Sequence, residues 1–512
     1  MEQTNNVEVK RTGGKAPRAS ASGYSDAGAS WNKKALKSFL AYSSGAHQDI
    51  DENNYTLRQR ARMLYMAAPI ATSAIKTNRT NVIGCGLKLQ ARPNTELLGL
   101  SPEAAKDWQR RTEAEFDLWA KRKKSCDATG VNDFYGIQQL ALMSWLLSGD
   151  AFCIMKQVPA TAATPYSLRL HLIEADRVST PGSPGATFSN MTEGIAKNGN
   201  KIYDGVELDK NGAIVAYYIC NNYPNELKMA VSEWTRVEAY GSLTGQPNII
   251  QIMESERPEQ YRGVSYLAQV IEPLLQIRRY TESELTSALI ESFFTAFVMT
   301  ENPEENPYNE AGQPQIDHSD DEYEMGPGQI NYMKPGESIT FGTPSRPNSG
   351  FDAFIRALCE QCGAALEIPA DLLLKSFNSS YSASRAALLE AWKAFKMRRE
   401  WFVSDFCKPI YEIWLSEAVA RGRIQAPGFF NDPLIREAWL GSEWVGPSQG
   451  QLDPTKEIEA EIKAVEHGFS THEQSTIKLN GGQWESNVAQ LAHENKILKE
   501  AAGSDAAQAK ED

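Results

Sequence analysis

Histidine is scarce, with 6 in 512 residues, and 52 basic side chains face 65 acidic ones, a formal charge of −13. Histidines so few and so spread out supply no His/Cys cluster with metal-ligand spacing. The acidic balance argues against a simple duplex-coating protein, because such proteins bind through lysine and arginine that displace counterions. It does not exclude a local basic stripe. The 7 cysteines, at 85, 126, 153, 220, 359, 362 and 407, are odd in number and scattered. That pattern speaks for a reducing compartment and buried thiols, not a disulfide framework. Long apolar runs are absent too. The best candidate, Ala288 to Met299, is short and contains Glu291, well below the ~18 residues of a membrane span. The opening MEQTNNVEVKRTGG has no apolar segment of a secretory signal. Cytosolic synthesis and no membrane contact are expected.

Catalytic signatures are missing as well. The Gly-Gly-Lys of a phosphate-binding loop occurs only as Gly13-Gly14-Lys15, followed by Ala16. Gly84-x-Gly86 lacks the third glycine of a dinucleotide fingerprint, since Leu89 occupies that place. His472-Glu473 lacks the second histidine of a zincin, because position 476 is Thr476. No nucleophile elbow of the G-x-S-x-G type occurs. Cys359 and Cys362 would share a helix face, but a zinc site needs two more ligands and no second pair exists, so packed thiols are expected. Glu282 and Glu284 are two apart, as are Glu113 and Glu115; on a helix such pairs point about 200° apart and cannot share a substrate. No enzyme, cofactor or metal is expected.

What is present is an ordinary soluble composition, 41% hydrophobic and 23% charged, enough for roughly three domains of about 150 residues. Residues 1–50 read as a flexible arm, with a short helix around Trp31 to Phe39 and a basic cluster at Lys10, Arg11, Lys15 and Arg18. That cluster could touch nucleic acid or an acidic partner, but a solvated tail is the reading preferred. Ordered structure is expected from Tyr55, with a helix restarting at Pro69. A further helix is signalled by Ser101 as cap and Pro102 at its first position, with Trp108, Phe116 and Trp119 facing the core. Another starts near Asn132 or Asp133 and runs to Gly149.

From Ala151 to about Met253 the period changes to strands: Phe152 to Lys156, Leu168 to Ile173, Val206 to Leu208 and Ile214 to Ile219. Asp209-Lys210-Asn211-Gly212 predicts a hairpin turn. Three- and four-residue apolar steps then predict a helix from Val264 to Met299, bent at Pro273 with its first turns as a separate piece, and polar in its middle. Strands at Ile330 to Met333 and Ser338 to Phe341, a helix over Phe351 to Leu366 and a long helix interrupted by Pro409 and ending at Gly422 follow. The Ser/Asn-rich stretch Lys375 to Ser384 fits either an ordinary linker or a loop that moves or faces water.

Several ordered segments carry a family likeness. They are Asn81-Val82-Ile83-Gly84-x-Gly86, Cys126-Asp127-Ala128-Thr129-Gly130, Ser148-Gly149-Asp150-Ala151-Phe152 and Ile173-Glu174-Ala175-Asp176-Arg177. Further on stand Arg257-Pro258-x-Gln260-x-Arg262-Gly263-Val264, Ile368-Pro369-x-x-Leu372-Leu373 and Tyr381-Ser382-x-Ser384-Arg385-Ala386-Ala387. With these, the chain resembles the lambda-type portal proteins of tailed double-stranded DNA phages, from about residue 55 to 500. Near the end, Asn480-Gly481-Gly482 replaces a Gly-Asp pair typical of the group.

The resemblance implies an α+β portal fold without catalytic residues, assembled as a homo-oligomeric ring, usually of twelve, at one capsid vertex. Its implied partners are capsid and scaffold proteins, terminase, head-completion and tail proteins, and double-stranded DNA passing through the channel. The implied location is the virion, with assembly in the host cytoplasm. By the same likeness 51–262 is a wing, 263–300 and 349–368 are stem helices, and 301–348 is the clip. Residues 369–384 would be a tunnel loop, 385–500 a wing and crown region, and 501–512 a disordered tail. The loop's Ser376, Asn378, Ser379, Ser380, Tyr381 and Ser382 would line the DNA channel. The alternatives are another head-tail adaptor or capsid scaffold protein, or a terminase-like packaging enzyme, which the missing phosphate-binding loop disfavours.

Overall fold

In a computed structural model the described residues are 28–30, 33–39, 42–182, 191–223, 231–292, 296–300, 337–341, 350–377, 380–450 and 454–508. Helix α1 (Ala46–Ala67) opens the fold nine residues before the expected Tyr55. Its first turns carry Asp51, Asn54 and Arg58, polar yet buried, so the apolar period that announces a helix is missing there. Of the short helix expected around Trp31 to Phe39, residues 33–39 are described and show hydrogen-bonded turns at Leu36 and Phe39 instead of a helix. Helix α2 (Pro69–Val82) restarts at Pro69, whose fixed φ suits a first helical position. Gly84 and Gly86, both at positive φ, turn the chain into β1 (Lys88–Ala91).

The short α3 (Thr95–Leu98) precedes α4 (Pro102–Ala120), where Ser101 Oγ accepts from Ala104 N at 3.2 Å, the expected cap. After α5 (Lys123–Cys126), Asp133 caps α6 (Phe134–Ser148) by accepting from Gly136 N at 2.8 Å.

The strand-rich section holds β2 (Asp150–Gln157), β3 (Leu168–Glu174), β4 (Glu193–Ile195), β5 (Lys201–Tyr203), β6 (Val206–Leu208), β7 (Ile214–Cys220), β8 (Trp234–Glu238) and β9 (Ile249–Met253). One antiparallel sheet has the order β3-β2-β9 and the other β4-β5-β6-β7-β8. Phe152, Ile173, Val178, Val206, Tyr217 and Ile219 form a core of their own for this section. The predicted hairpin is there: Gly212 takes φ +84°, and Asp209 Oδ1 accepts from Asn211 N and Ala213 N, each at 2.8 Å.

Next come α7 (Ile271–Ser292), β10 (Ala296–Thr300), β11 (Glu337–Phe341) and α8 (Phe351–Ala365). The helix expected to reach Met299 therefore stops at Ser292, and Ala296–Thr300 pairs antiparallel with Glu337–Phe341. The first turns are a separate piece, as expected, a 3-10 turn at Ala268–Val270; Pro273 lies in the first turn of α7 behind it and so starts the helix instead of bending it. The strand expected at Ile330 to Met333 falls outside the described residues.

Helices α9 (Ala370–Leu374) and α10 (Tyr381–Phe402) follow, then a π-turn at Val403–Cys407 and α11 (Lys408–Ala420). The chain closes with α12 (Pro433–Leu440), β12 (Ser442–Val445), α13 (Pro454–Glu466), α14 (His472–Asn480) and α15 (Trp484–Gln508). Residues 501–508, expected as disordered tail, are thus helical. β12 pairs antiparallel with β1, bringing a late segment of the chain back beside an early one. The main core gathers Phe116, Trp119, Phe134, Phe402, Phe406 and Trp414, with Phe116 edge-on to Trp414 at 5.0 Å between ring centroids. Trp108 is half-buried at the margin against Trp439. The α+β class is borne out.

Two of the likeness-bearing segments meet in a buried ionic cluster. Arg262, with no exposed surface, donates from Nε to Asp150 Oδ2 at 2.6 Å and pairs with Asp204 at 2.7 Å. It also donates to the carbonyls of Val178 and Ala175, just after β3, and of Asp204, between β5 and β6, which ties the chain before α7 to both sheets. Arg58 reaches Asp204 at 3.4 Å and Asp150 at 3.6 Å. Gly149 and Gly263 are forced by contact: a Cβ on Gly263 would sit 1.9 Å from the Gly149 carbonyl oxygen.

Asp51 is the third carboxyl at this cluster, and burial, with repulsion from Asp204 and Asp150, raises its pKa to about 7 despite Arg262 and Arg58. A folded-state pKa above the unfolded value favours the fold most at low pH, and that contribution fades as pH rises from about 4 to about 7. Asp51→Asn is expected to flatten this decline and raise stability at pH 8 by on the order of 2 kcal/mol. Thermal melts between pH 4 and 8 check it, and equal pH slopes for both proteins would refute it.

Candidate functional site

The site expected from the sequence is built from α7, α8 and the loop that follows α9. The base of α7 is sealed into the core through Leu274 and Ile277, whereas Leu285 further along is 66% exposed. Tyr280 holds the two helices together, stacked on Phe351 at 5.4 Å and edge-on to Phe354 at 5.1 Å. The exposed face of α7 is charged, with Arg278 and Glu282 paired at 3.1 Å one turn apart. Glu272, also on α7, accepts from Gln276 at 3.2 Å.

Beyond α8 the chain is anchored firmly. Gly363 is needed because a Cβ there would meet the Ile368 carbonyl oxygen at 2.5 Å. The Tyr266 hydroxyl donates to the Leu366 carbonyl. Buried Arg398 lies 4.8 Å over the Tyr266 ring, donates to Asn78 Oδ1 at 3.1 Å and pairs with Glu367 at 2.5 Å. Asp371 accepts from Arg356 at 3.1 Å, and Ser73 Oγ donates to the Leu373 carbonyl at 2.7 Å. Lys375 ends α9 in the left-handed region, at φ +55°, and its ammonium donates back to Thr77 Oγ1 at 3.2 Å. Lys375 is thus held against the body of the same chain.

The expected loop, Pro369 to Ser384, is narrower than its sequence suggested. Its first part is α9, and from Tyr381 onward it is helix α10. Ser376 is exposed, and its N–H donates to the Asp371 carbonyl at 3.0 Å. Asn378 and Ser379 lie outside the described residues. Ser380 caps α10, its Oγ accepting from Ala383 N at 3.4 Å. Tyr381 and Ser382 belong to the first turn of that helix, and Ser382 is exposed.

The anchors Arg398, Glu367, Arg356 and Ser73 escaped the sequence reading. Only the geometry shows them, since Ser73 and Arg398 meet partners 300 and 320 positions away. Cys359 and Cys362 are free and buried on α8. Burial pushes both thiols up, Cys362 to about 11, the opposite of what thiolate chemistry needs. Among the described residues no group of His, Cys, Asp and Glu is arranged to hold a metal, and no helix is long and apolar enough to cross a membrane.

Residues 32–399 match the family model described as "Phage portal protein, lambda family". The chain is 22% identical over 456 residues to portal protein B of Escherichia phage lambda, covering 85% of this chain and 82% of that protein. Identity and coverage are the same for the portal protein of Escherichia phage N15. A chain from the virion of a native gene transfer agent particle is similar in structure, at TM-score 0.44 and 13% identity, over 84% of this chain and 94% of that one. A family match over most of the chain defines the class as phage portal proteins. The chain belongs to the lambda family of these proteins.

Proposed function

We propose that the protein forms a closed ring at one capsid vertex, through which double-stranded DNA is packaged and later ejected. Terminase docks on it during packaging, and head-completion and tail proteins replace terminase afterwards. In this reading α7 and α8 are the stem, β10 and β11 belong to the clip, and the loop from Lys375 to Ser380 lines the channel. The observation that carries it is the α7–α8 pair. Its base is sealed in the core while Leu285, one of its large apolar residues, stands 66% exposed, as expected of a strip that meets a neighbouring subunit.

The loop fits passage of DNA and not its capture. Small hydroxyls offer weak, replaceable contacts, whereas each phosphate-gripping lysine adds counterion-release affinity. The loop's cation, Lys375, is already turned onto Thr77. No chemical step is assigned to the chain; its work is mechanical and architectural.

Leu285→Glu tests the strip. The monomer's stability is expected to stay within about 0.5 kcal/mol, the usual range for exposed positions. Ring formation, followed by light scattering, is expected to fall sharply. Undiminished rings from this variant would remove α7 from the subunit interface.

A further inference from the structure

The last helix, α15, stands away from its own subunit. Its start is pinned: Trp484 stacks on His472 at 5.3 Å, Gln483 donates to Glu113 at 3.2 Å, and Glu485 pairs with Lys106. From Ser486 to Lys499 every residue is exposed. Trp484, Val488, Leu491 and Leu498 nevertheless fall on one stripe, at steps of four, three and seven. Val488, Leu491 and Leu498 are 41%, 54% and 66% exposed. An amphipathic helix takes most of its stability from packing its apolar face, so this stripe implies a cover.

A matching recess lies next to the start of that helix. Helices α13 and α14 enclose a groove of about 530 Å³, walled by Ile458, Ile462, Val465 and Leu479. Ile458 and Ile462 are 43% and 51% exposed. Glu466 lines the groove, and Glu459, seven residues earlier, occupies the same edge of α13. On α15, Lys496 and Lys499 flank the apolar stripe on one side, so edge and flank carry opposite charge. His472, on which Trp484 stacks, lines the rim of this groove, yet every residue from Ser486 to Lys499 is exposed, so the stripe of α15 is not seated in the groove of its own subunit.

We propose that α15 of one copy lies in the α13–α14 groove of the next copy. Stripe and groove are different surfaces, so the contact is heterologous and propagates around a closed ring. The helix enters as an amphipathic ligand with anchors at helical spacing. This inference rests on the ring reading above.

The experiment uses the full chain with Cys85→Ser, which removes the exposed native thiol. Ile462→Cys is combined in turn with Val488→Cys, Leu491→Cys or Leu498→Cys. Assembled protein is then oxidised and run without reductant, and ring formation is scored separately by light scattering. The expected result is rings with a ladder of covalent oligomers from at least one pair, and none from Ile462→Cys with His493→Cys, which points from the opposite flank. Rings without a ladder, disulfides confined to single chains, or dimers from Leu491→Cys alone would overturn the inference and leave the ring reading standing. Absence of rings from the parent Cys85→Ser protein would overturn both.

Discussion

Arg262→Met is expected to lower stability by about 3–5 kcal/mol, because it leaves Asp150 buried without its main partner. The guanidinium has no exposed surface and holds Asp150 at 2.6 Å and Asp204 at 2.7 Å while bonding the carbonyls of Ala175 and Val178, after β3, and of Asp204, between β5 and β6. If the strand-bearing part melts as a domain of about 200 residues, that loss corresponds to a fall in melting temperature of about 10 °C. The sign of the double variant is informative. Adding Asp150→Leu removes the stranded charge, and a buried pair replaced by apolar residues is often near neutral. The double variant is therefore expected to melt above Arg262→Met. Calorimetry on both variants decides it. A single variant within about 2 °C of the parent, a shift of under ~1 kcal/mol, would show that the cluster does not clamp the strand section to α1 and α7.

Lysines at Ser376, Asn378 and Ser379 are expected to cut packaged DNA about tenfold or more while rings still form, since each phosphate contact adds salt-sensitive affinity. Ser380 is left untouched because it caps α10. In a twelve-membered ring three substitutions become dozens of cations around the duplex, and a channel that grips does not conduct. Alanine at the same three positions keeps the contacts weak and is expected to package near the parent level. Complementation of a portal-deficient phage measures both variants. Parent-level packaging from the lysine variant would take this loop out of the DNA path.

The sequence showed best what is locally encoded. Ser101-Pro102 and Asp133 mark helix starts by capping chemistry, and β2, β3, β6 and β7 show as apolar runs next to turn residues. β4, β5 and β8 were not legible because they are short or polar; Ile195 of β4 is 79% exposed. The first turns of α1 escaped for the opposite reason. Asp51, Asn54 and Arg58 are polar and buried, and Asn54 and Arg58 bond groups 209 and 90 positions away. Around Ser292 the helical spacing of apolar residues runs on, but the chain turns to strand at Ala296 because Glu337–Phe341 is there to pair with it. At the candidate site, the Ser/Asn composition located the loop. It did not reveal which serine caps α10, because a run of serines offers several equivalent caps.

The central claim is that this chain closes into a ring around a channel. Negative-stain imaging of the purified, assembled protein tests it most directly. Closed rings of about twelve copies with a central opening wide enough for duplex DNA are predicted. A stable monomer under assembly conditions, or a particle with no central opening, would contradict it.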